Sequence, residues 1–295
     1  MITLPLSITW GPDPEIFSIG ALHIRYYSVL FVSGFIIGFW LFIKFFKREN
    51  LPVDMLDSLL YTLLIAGTLG ARLGHCFFYE PNYYLSHPIE ILKIWEGGLA
   101  SHGGALGILI AIFFWVRKYG PKYNFDYVWL LDRLGIATPL AGALIRFGNF
   151  MNSEIYGDVT DLPWGVIFTL KGETLPKHPT QLYEAMCYLL LFGLQMVIWK
   201  KWLPKMKRGV FFGIFFIGIF ASRFVIEFIK EPQVAFEEGM RLNMGQLLSI
   251  PFILAGVGFI IYGYVSKKPA MVEPEPTKKK RETTLTDNVR VKREN

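Results

Sequence analysis

A block of polar side chains follows directly on a long apolar stretch near the middle of this sequence. The segment from Arg146 to Gly157 reads RFGNFMNSEIYG, and it combines a guanidinium group with amide side chains, a carboxylate and two glycines. An arginine in or beside hydrocarbon is costly unless it meets a partner or an anionic group, so it marks a functional site by default. Because the anion available at that depth of a membrane is a lipid phosphate, the block predicts a phosphate site.

A second arginine stands in an apolar segment, with a carboxylate four residues later. In FFIGIFASRFVIEFIK, a helix places Arg223 and Glu227 on one face, one turn apart. One interpretation is a self-neutralising pair that only allows the helix to insert. The other is that Arg223 lies at the membrane level of Arg146, where two guanidinium groups could clamp one phosphate with forked hydrogen bonds.

A histidine lies in the glycine-rich segment EGGLASHGGALG, at position 102. The glycines around His102 allow a neighbouring backbone or a substrate to approach closely, and imidazole suits general-base work near neutral pH. A single helical histidine is also commonly a packing or hydrogen-bonding residue. The adjacent Ser101 suggests a serine–histidine protease, but neighbouring residues of a helix point about 100° apart, so this pairing is weak.

Several further residues have both a structural and a chemical interpretation. Asn149, Glu154 and Gly157 could end a helix, since such residues commonly satisfy or turn the backbone there. Helix termination does not account for the Glu154 carboxylate so close to an arginine. Glu184, in HPTQLYE, projects into the predicted bundle and could balance one arginine. Tyr27 lies where interfacial aromatic residues are common, and it could also orient a lipid headgroup.

The elements that must position these side chains are transmembrane helices. Of the 295 residues, 53% are hydrophobic, and they occur in blocks too long for the helices of a globular core. The pattern predicts an all-α integral membrane protein with seven transmembrane helices. The predicted spans are Tyr27 to Phe46, Asp57 to Tyr79, Gly98 to Val116, Tyr127 to Phe150, Thr180 to Trp199, Gly209 to Ile229 and Met244 to Val265.

Basic residues set the predicted orientation, because Lys and Arg accumulate in short cytoplasmic loops. Basic clusters follow the first, third and fifth spans, at 44–48, 117–122 and 200–208, whereas the intervening loops are poorer in Lys and Arg. The N-terminus is therefore predicted outside, on the periplasmic side, and the C-terminus in the cytoplasm. Arg146 and Arg223 then lie near the outer ends of even-numbered spans.

The chain divides into three predicted regions. Residues 1–25 form an external arm without the basic start of a cleavable signal peptide, residues 26–265 form the seven-helix membrane domain with the candidate site, and residues 266–295 form a cytoplasmic tail. The tail has nine basic residues against five acidic ones, so it supplies +4 of the net charge of +6. It is predicted to be disordered and attracted to anionic inner-leaflet lipid, and no nucleic-acid binding is indicated.

Five motifs together resemble the bacterial prolipoprotein diacylglyceryl transferase family. They are SHGG, RFGNFMNSEIYG, HPTQLYE, RFVIEF and MGQLLSIP, and they occur in this order between about Tyr26 and the last span. The pattern Arg-x-Gly-Asn-Phe-x-Asn-x-Glu-x-x-Gly is the family's signature and is highly specific. The resemblance does not cover the predicted arm or tail.

The resemblance implies an enzyme that moves the diacylglyceryl group of phosphatidylglycerol to the lipobox cysteine thiol of a preprolipoprotein. The reaction makes a thioether and releases a glycerol phosphate, in the bacterial inner membrane with the active site toward the periplasm. A thiol must lose its proton to become a strong nucleophile, and the leaving phosphate ester develops charge that needs stabilising. The implied partners are phosphatidylglycerol, the lipobox peptide and membrane lipid.

By similarity, His102 is the candidate base, and Arg146 and Arg223 hold the phosphate. The family's other functional positions are matched by Tyr27, Asn149, Glu154, Gly157 and Glu227. We expect Asn149 and Gly157 to bind the lipid headgroup together with the arginines. We expect the two glutamates to position the arginines.

Two positions depart from the family pattern. Ile145 replaces the glycine that is common before the signature arginine, which changes packing more than chemistry. A tyrosine is common one turn before the arginine of the sixth span, where this chain has Ile219, so its role is absent or supplied by another residue. No metal or organic cofactor is implied, because the lipid arrives activated as a phosphodiester. The main alternative is an anionic-lipid transporter or flippase that uses the same arginines, although no internal repeat of the kind common in transporters is visible.

Overall fold

The computed structural model describes residues 8–20, 22–231 and 240–272, and most of this part is helical. Its eight α-helices are α1 (Tyr26–Arg48), α2 (Met55–Phe78), α3 (Pro81–Ser86), α4 (Ser101–Tyr123), α5 (Tyr127–Met151), α6 (Thr180–Trp202), α7 (Val210–Ile226) and α8 (Met244–Ser266). All except the short α3 are long and apolar enough to cross a membrane, which confirms the seven predicted spans. The largest boundary difference is at the end of α4, which continues seven residues past Val116, because hydropathy detects only the part of a helix that lies in hydrocarbon.

Four short strands make the all-α prediction incomplete. Strand β1 (Ile8–Trp10) pairs in parallel with β4 (Val166–Phe168), and β2 (Glu15–Ile19) forms an antiparallel hairpin with β3 (Leu22–Arg25). The Trp10 indole also donates a hydrogen bond to the carbonyl of Phe150, at 3.0 Å. Residues 8–25 of the predicted arm therefore include strands, one of which pairs with the loop between α5 and α6. The first seven residues of the arm lie outside the described residues.

Helix α5 is the centre of the bundle and packs against α1, α6 and α7, while α2 pairs with α4 and α7 with α8. The α2–α4 pair is held at backbone contact by glycines. A Cβ at Gly103 would lie 2.3 Å from the carbonyl oxygen of Gly70, so a larger residue would force the helices apart. Small residues that allow such close approach are typical of helix pairs in membranes.

Arg72 on α2 has a structural role that explains its depth in the helix. Its guanidinium donates to four backbone carbonyls of the following loop, at 2.5 Å to Glu90, 3.1 Å to Ile91, 2.6 Å to Gly97 and 3.4 Å to Gly98. The side chain is buried and lies over the ring of Tyr84. Arg72 therefore anchors the loop that leads into α4.

A buried ion pair ties together the opposite end of the bundle. Arg133 on α5 donates from Nε to Oε1 of Glu49 at 2.9 Å, and Glu49 also accepts from the backbone N–H of Val272 at 2.7 Å. A terminal nitrogen of Arg133 donates to the carbonyl of Ala270. Residues 267–272, predicted above as part of the tail, are therefore packed against the bundle, and residues 273–295 lie outside the described residues.

Candidate functional site

Arg146 lies near the end of α5 and is held from two sides. Its Nε contacts Oε2 of Glu184 on α6, and a terminal nitrogen donates to Oδ1 of Asn149 at 3.2 Å. The Glu184 side chain is almost fully buried, whereas that of Arg146 is 16% exposed. Because an unpaired buried charge is strongly destabilising, the ion pair explains how α5 carries an arginine. The predicted balance between Glu184 and one arginine is confirmed.

Glu154 reaches Arg146 through an amide rather than directly. Asn149 donates from Nδ2 to Oε1 of Glu154 at 2.8 Å, and Asn152 donates to the same oxygen at 3.2 Å. Gln181 on α6 donates to the backbone carbonyl of Glu154 at 2.6 Å. Since an amide nitrogen only donates and its oxygen only accepts, Glu154 turns the Asn149 oxygen toward Arg146.

Arg223 lies near the end of α7 and is the more open of the two arginines. Its Nε is 3.7 Å from Oε2 of Glu227, which is too long for a hydrogen bond. In the described part of the chain this buried Nε has no hydrogen-bond acceptor, while the side chain as a whole is 37% exposed. The forked donors of Arg223 are therefore available to an anionic group.

A buried lysine joins the carboxylates that face the two arginines. Lys230 Nζ lies 3.4 Å from Oε1 of Glu184 and 3.6 Å from Oε2 of Glu227, and its side chain is 3% exposed. In order, Arg146, Glu184, Lys230, Glu227 and Arg223 form a row of alternating charges, which we term the charge chain. It connects α5, α6, α7 and the residues after α7, and its cations outnumber its carboxylates by one.

The start of α8 closes around Glu227. A Cβ at Gly245 would lie 2.6 Å from Cδ of Glu227, so glycine is needed for the carboxylate to rest there, and a helix N-terminus favours a negative charge. Asn243 and Gln246 form a capping box at this helix start. Gln246 also donates to the carbonyl of Phe224 at 3.2 Å. The beginning of α8 thus fixes the end of α7 and its carboxylate.

Tyr27 lies at the start of α1, against the helix that carries Arg146. A Cβ at Gly148 would lie 2.7 Å from the Tyr27 ring, so the tyrosine packs directly on the α5 backbone. Arg146 and Glu154 are among its electrostatic neighbours. The structure therefore places Tyr27 close to Arg146 and Glu154.

A second tyrosine, not singled out from the sequence, lies close to both arginines. Tyr188 on α6 is buried, and both Arg146 and Arg223 are among its electrostatic neighbours. It packs in one small cluster with Ile219, the residue at the position where a tyrosine was expected. A phenolic hydroxyl is therefore present beside both guanidinium groups, although α6 supplies it instead of α7.

His102 is the second residue of α4 and is exposed. A short turn joins α4 to α5, so the start of α4 and the end of α5 lie at the same end of the bundle. Within the residues described, His102 forms no hydrogen bond or ion pair, either with Ser101 or with the charge chain. The structure therefore brings His102 to the level of Arg146 and leaves it out of the contacting group.

Gly157 has a packing role that its chemistry alone does not reveal. A Cβ there would lie 2.2 Å from the carbonyl oxygen of Ile229, and its N–H donates to the carbonyl of His178 at 2.9 Å. Gly157 also forms an antiparallel bridge with Lys230. The glycine thus allows the loop after α5 to lie against the segment that carries the buried lysine.

Charged residues brace the loop between α5 and α6. Lys177 Nζ lies 3.0 Å from Glu173 and contacts Glu231, and the Tyr156 hydroxyl donates to Glu173 at 2.7 Å. The hydrogen bond from Tyr156 holds the pKa of the Glu173 carboxyl below its usual value against the effect of desolvation, with help from Lys177. Burial and the neighbouring Glu173 raise the pKa of Tyr156. At neutral pH the carboxylate stays ionised and the hydroxyl stays protonated, so this bracing persists.

The structure brings six of the eight predicted site residues together, while Gly157 packs behind them and His102 stands apart. The six are Tyr27, Arg146, Asn149, Glu154, Arg223 and Glu227. Lys230 and Tyr188 were missed. Lys230 follows Glu227 by three residues, and Tyr188 follows Glu184 by four. These helical spacings put each residue on the same face as a carboxylate already singled out, so the sequence did contain a signal for both.

Comparison with known proteins gives one consistent result. Residues 14–262 match the family model described as prolipoprotein diacylglyceryl transferase. Three relatives carry the name phosphatidylglycerol--prolipoprotein diacylglyceryl transferase. The protein of Tolumonas auensis is 48% identical over 248 residues, 84% of this chain and 94% of its own. The protein of Chloroherpeton thalassium is 44% identical, with 90% and 97% covered, and that of Porphyromonas gingivalis is 45% identical, with 88% and 96% covered. The chain is thus a member of the prolipoprotein diacylglyceryl transferase family.

Proposed function

We propose that this chain transfers the diacylglyceryl group of phosphatidylglycerol to the thiol of a lipobox cysteine in a preprolipoprotein, the first step of lipoprotein maturation. Family membership and the names of the relatives support the reaction. The observation that carries the assignment to this site is the charge chain, in which two arginines are held at one end of a membrane bundle by shared buried partners.

The reaction exchanges one bond to the glyceryl carbon for another. The thiolate sulfur attacks the carbon next to the phosphate ester, the carbon–sulfur bond forms as the carbon–oxygen bond breaks, and the electron pair leaves on the phosphate oxygen of glycerol phosphate. Charge therefore grows on the phosphate as the bond breaks. Donors fixed beforehand around that oxygen stabilise the transition state without having to reorganise.

The two arginines are suited to different parts of this task. Arg146, held by Glu184 and Asn149, is a preorganised donor in a fixed orientation. Arg223 is more exposed, and its Nε–H has no acceptor among the described residues, so it can close on the phosphate when the lipid is present. Asn149 and Glu154 position Arg146, and Glu227 positions Arg223.

The remaining residues orient the lipid and activate the thiol. Tyr27 and Tyr188 border the arginines, and Tyr188 supplies the hydroxyl that Ile219 lacks. Gly157 supports the headgroup site by letting its loop approach Lys230. His102 is the proposed acceptor of the thiol proton, and the positive field of the arginines lowers the thiol pKa, which offers water as a second acceptor.

The proposed setting is the bacterial inner membrane, with the charge chain toward the periplasm and the C-terminus in the cytoplasm. The support is the distribution of charge. Helix ends and loops at the end of the bundle away from Arg146 carry the basic clusters at 44–48, 117–122 and 200–208, which favours that end as cytoplasmic. The lipobox peptide would then meet the site from the periplasmic side.

The decisive experiment is a transfer assay with the full chain in vesicles that contain phosphatidylglycerol as the sole anionic lipid. A lipobox peptide should gain the mass of one diacylglyceryl group, with release of one glycerol phosphate, and a peptide with serine in place of the cysteine should gain nothing. An unmodified cysteine peptide would reject the enzyme. Movement of the lipid between leaflets without peptide modification would instead indicate a flippase.

A further inference from the structure

A cavity lined by several charged residues lies at the end of the bundle opposite the charge chain. Its volume is about 850 Å³, and it is enclosed by the end of α4, the start of α5 and the turn after α8. Helix α5 starts here at Tyr127 and reaches Arg146 at its other end. At 1.5 Å per residue the two levels are about 30 Å apart, the thickness of a bilayer's hydrocarbon core. The cavity therefore lies at the headgroup level of the other leaflet.

Cations outnumber carboxylates around this cavity. Among the described residues, Arg117, Arg208 and Lys268 line it together with a single carboxylate, Asp126. Asp126 Oδ2 is shared by a terminal nitrogen of Arg208 at 2.9 Å and Nζ of Lys268 at 3.3 Å. Burial raises the pKa of Asp126, but Arg208, the backbone N–H of Trp129 and Lys268 together outweigh burial and hold the pKa of this carboxyl below its usual value. At neutral pH the described side chains that line the cavity therefore carry two positive charges in excess.

Arg117 is the cation with the most freedom. It is exposed on α4, and its guanidinium lies over the ring of Phe113 at 5.3 Å from the ring centre. Within the described residues it has no carboxylate partner. A guanidinium in this state can donate two parallel hydrogen bonds to a phosphate.

The walls of the cavity distinguish a lipid from a free anion. Phe113 and Val116 line it on the α4 side, one turn and one residue before Arg117. Phe113 is 41% exposed, in a helix apolar enough to cross a membrane, so the cavity opens onto a surface that suits acyl chains. A free phosphate would use the cations and leave this apolar wall without a partner.

We propose that this cavity binds the phosphate headgroup of an anionic phospholipid of the opposite leaflet. Arg117 and Lys268 contact the phosphate, Arg208 remains held by Asp126, and an acyl chain lies along Phe113. Basic pockets between helices on the cytoplasmic side of membrane proteins recognise lipid headgroups by this chemistry. No bond is made or broken, and the site is separate from the proposed transfer reaction.

The test compares two doubly substituted chains with the same change in charge. The variant Arg117→Gln, Lys268→Gln removes two cations that line the cavity. The variant Lys118→Gln, Lys122→Gln removes two exposed cations at the same end of the molecule that do not line it. All four positions are exposed, so both variants should unfold at the wild-type temperature in detergent without added lipid.

Thermal unfolding is then measured while short-chain phosphatidylserine, short-chain phosphatidylcholine or inorganic phosphate is added. We expect phosphatidylserine to stabilise the wild type and the Lys118, Lys122 variant with equal Kd. In the Arg117, Lys268 variant the Kd should rise by at least about fivefold. Binding at the charge chain is common to all three proteins and cancels from the comparison.

Three results would overturn the proposal. The first is a difference in Kd between the two variants that is smaller than about fivefold. The second is stabilisation of the wild type by phosphatidylcholine that equals the stabilisation by phosphatidylserine. The third is saturation by inorganic phosphate at the same concentration as the lipid, which would make the cavity a site for a free anion. The outcome does not depend on diacylglyceryl transfer, because unfolding is the only readout.

Discussion

Lys230 and Glu184 are 46 residues apart in the sequence, yet Lys230 Nζ lies 3.4 Å from Oε1 of Glu184, and both side chains are almost fully buried. The same ammonium lies 3.6 Å from Glu227. One lysine therefore sits between the carboxylate that holds Arg146 and the carboxylate that faces Arg223. The separation of the two arginines depends on a residue that need not touch the substrate.

Replacing Lys230 with Met should therefore damage both stability and catalysis. The buried carboxylates of Glu184 and Glu227 would lose the cation between them, and breaking a buried ion pair typically costs about 3–5 kcal/mol. We expect a lower unfolding temperature and a fall in kcat that exceeds any change in KM for phosphatidylglycerol. Lys230→Arg retains the charge and should recover much of the turnover. A Met variant with wild-type kcat and stability would show that the lysine positions nothing.

Replacing Arg146 with Lys separates charge from geometry. The ammonium can still pair with Glu184, so the folded protein should persist, but the fork of donors is lost. Removing one preorganised donor from a developing oxyanion lowers kcat by about 100-fold or more. Transfer rates of the Lys variant and of Arg146→Gln are compared at saturating lipid. Near-normal turnover with lysine would contradict bidentate phosphate binding.

Removing the hydroxyl of Tyr188 tests whether it replaces the absent tyrosine at Ile219. Tyr188→Phe should fold normally and lose about tenfold in kcat, as expected for one hydrogen bond to a charged group. Tyr183→Phe is the control, because its hydroxyl belongs to the same helix and instead accepts a hydrogen bond from Trp164. If both Phe variants show the same rate, the Tyr188 hydroxyl has no part in the reaction.

A single methyl group at Gly245 should displace Glu227. The added Cβ would lie 2.6 Å from the carboxylate carbon, and overpacking of this kind costs about 1–3 kcal/mol. We expect Gly245→Ala to lower both the unfolding temperature and the transfer rate. Gly258→Ala on the same helix has no atom within 4 Å of the new Cβ and should be neutral or slightly stabilising. Equal behaviour of the two alanine variants would argue against a fixed Glu227.

The role of His102 can be tested by measuring how the transfer rate depends on pH. A general base accepts a proton only in its unprotonated form, so the wild-type rate should rise with pH if His102 is the base. His102→Gln should be slower and should lack this rise. An undiminished rate across the pH range would remove His102 as the base and leave water as the acceptor of the thiol proton.

The amino-acid sequence determined the seven spans and the principal charged residues of the site. Hydropathy detects helices that must satisfy their own backbone groups in hydrocarbon, and a charge inside such a segment stands out because it is costly there. Arg146, Arg223 and Glu227 were found in this way. The pairing of β1 with β4 was not, because three-residue strands whose partners lie more than 150 residues away have no local signal.

The tertiary structure alone decided which charges meet. Helical periodicity fixes contacts within one helix, such as Arg223 with Glu227, but contacts between helices depend on how each helix is rotated and how deeply it sits. That packing brought Glu184 into contact with Arg146 and Lys230. It also placed Tyr188 next to Ile219, so that Tyr188 provides a hydroxyl where Ile219 has none. It also left His102 outside the contacting group, since α4 packs mainly against α2.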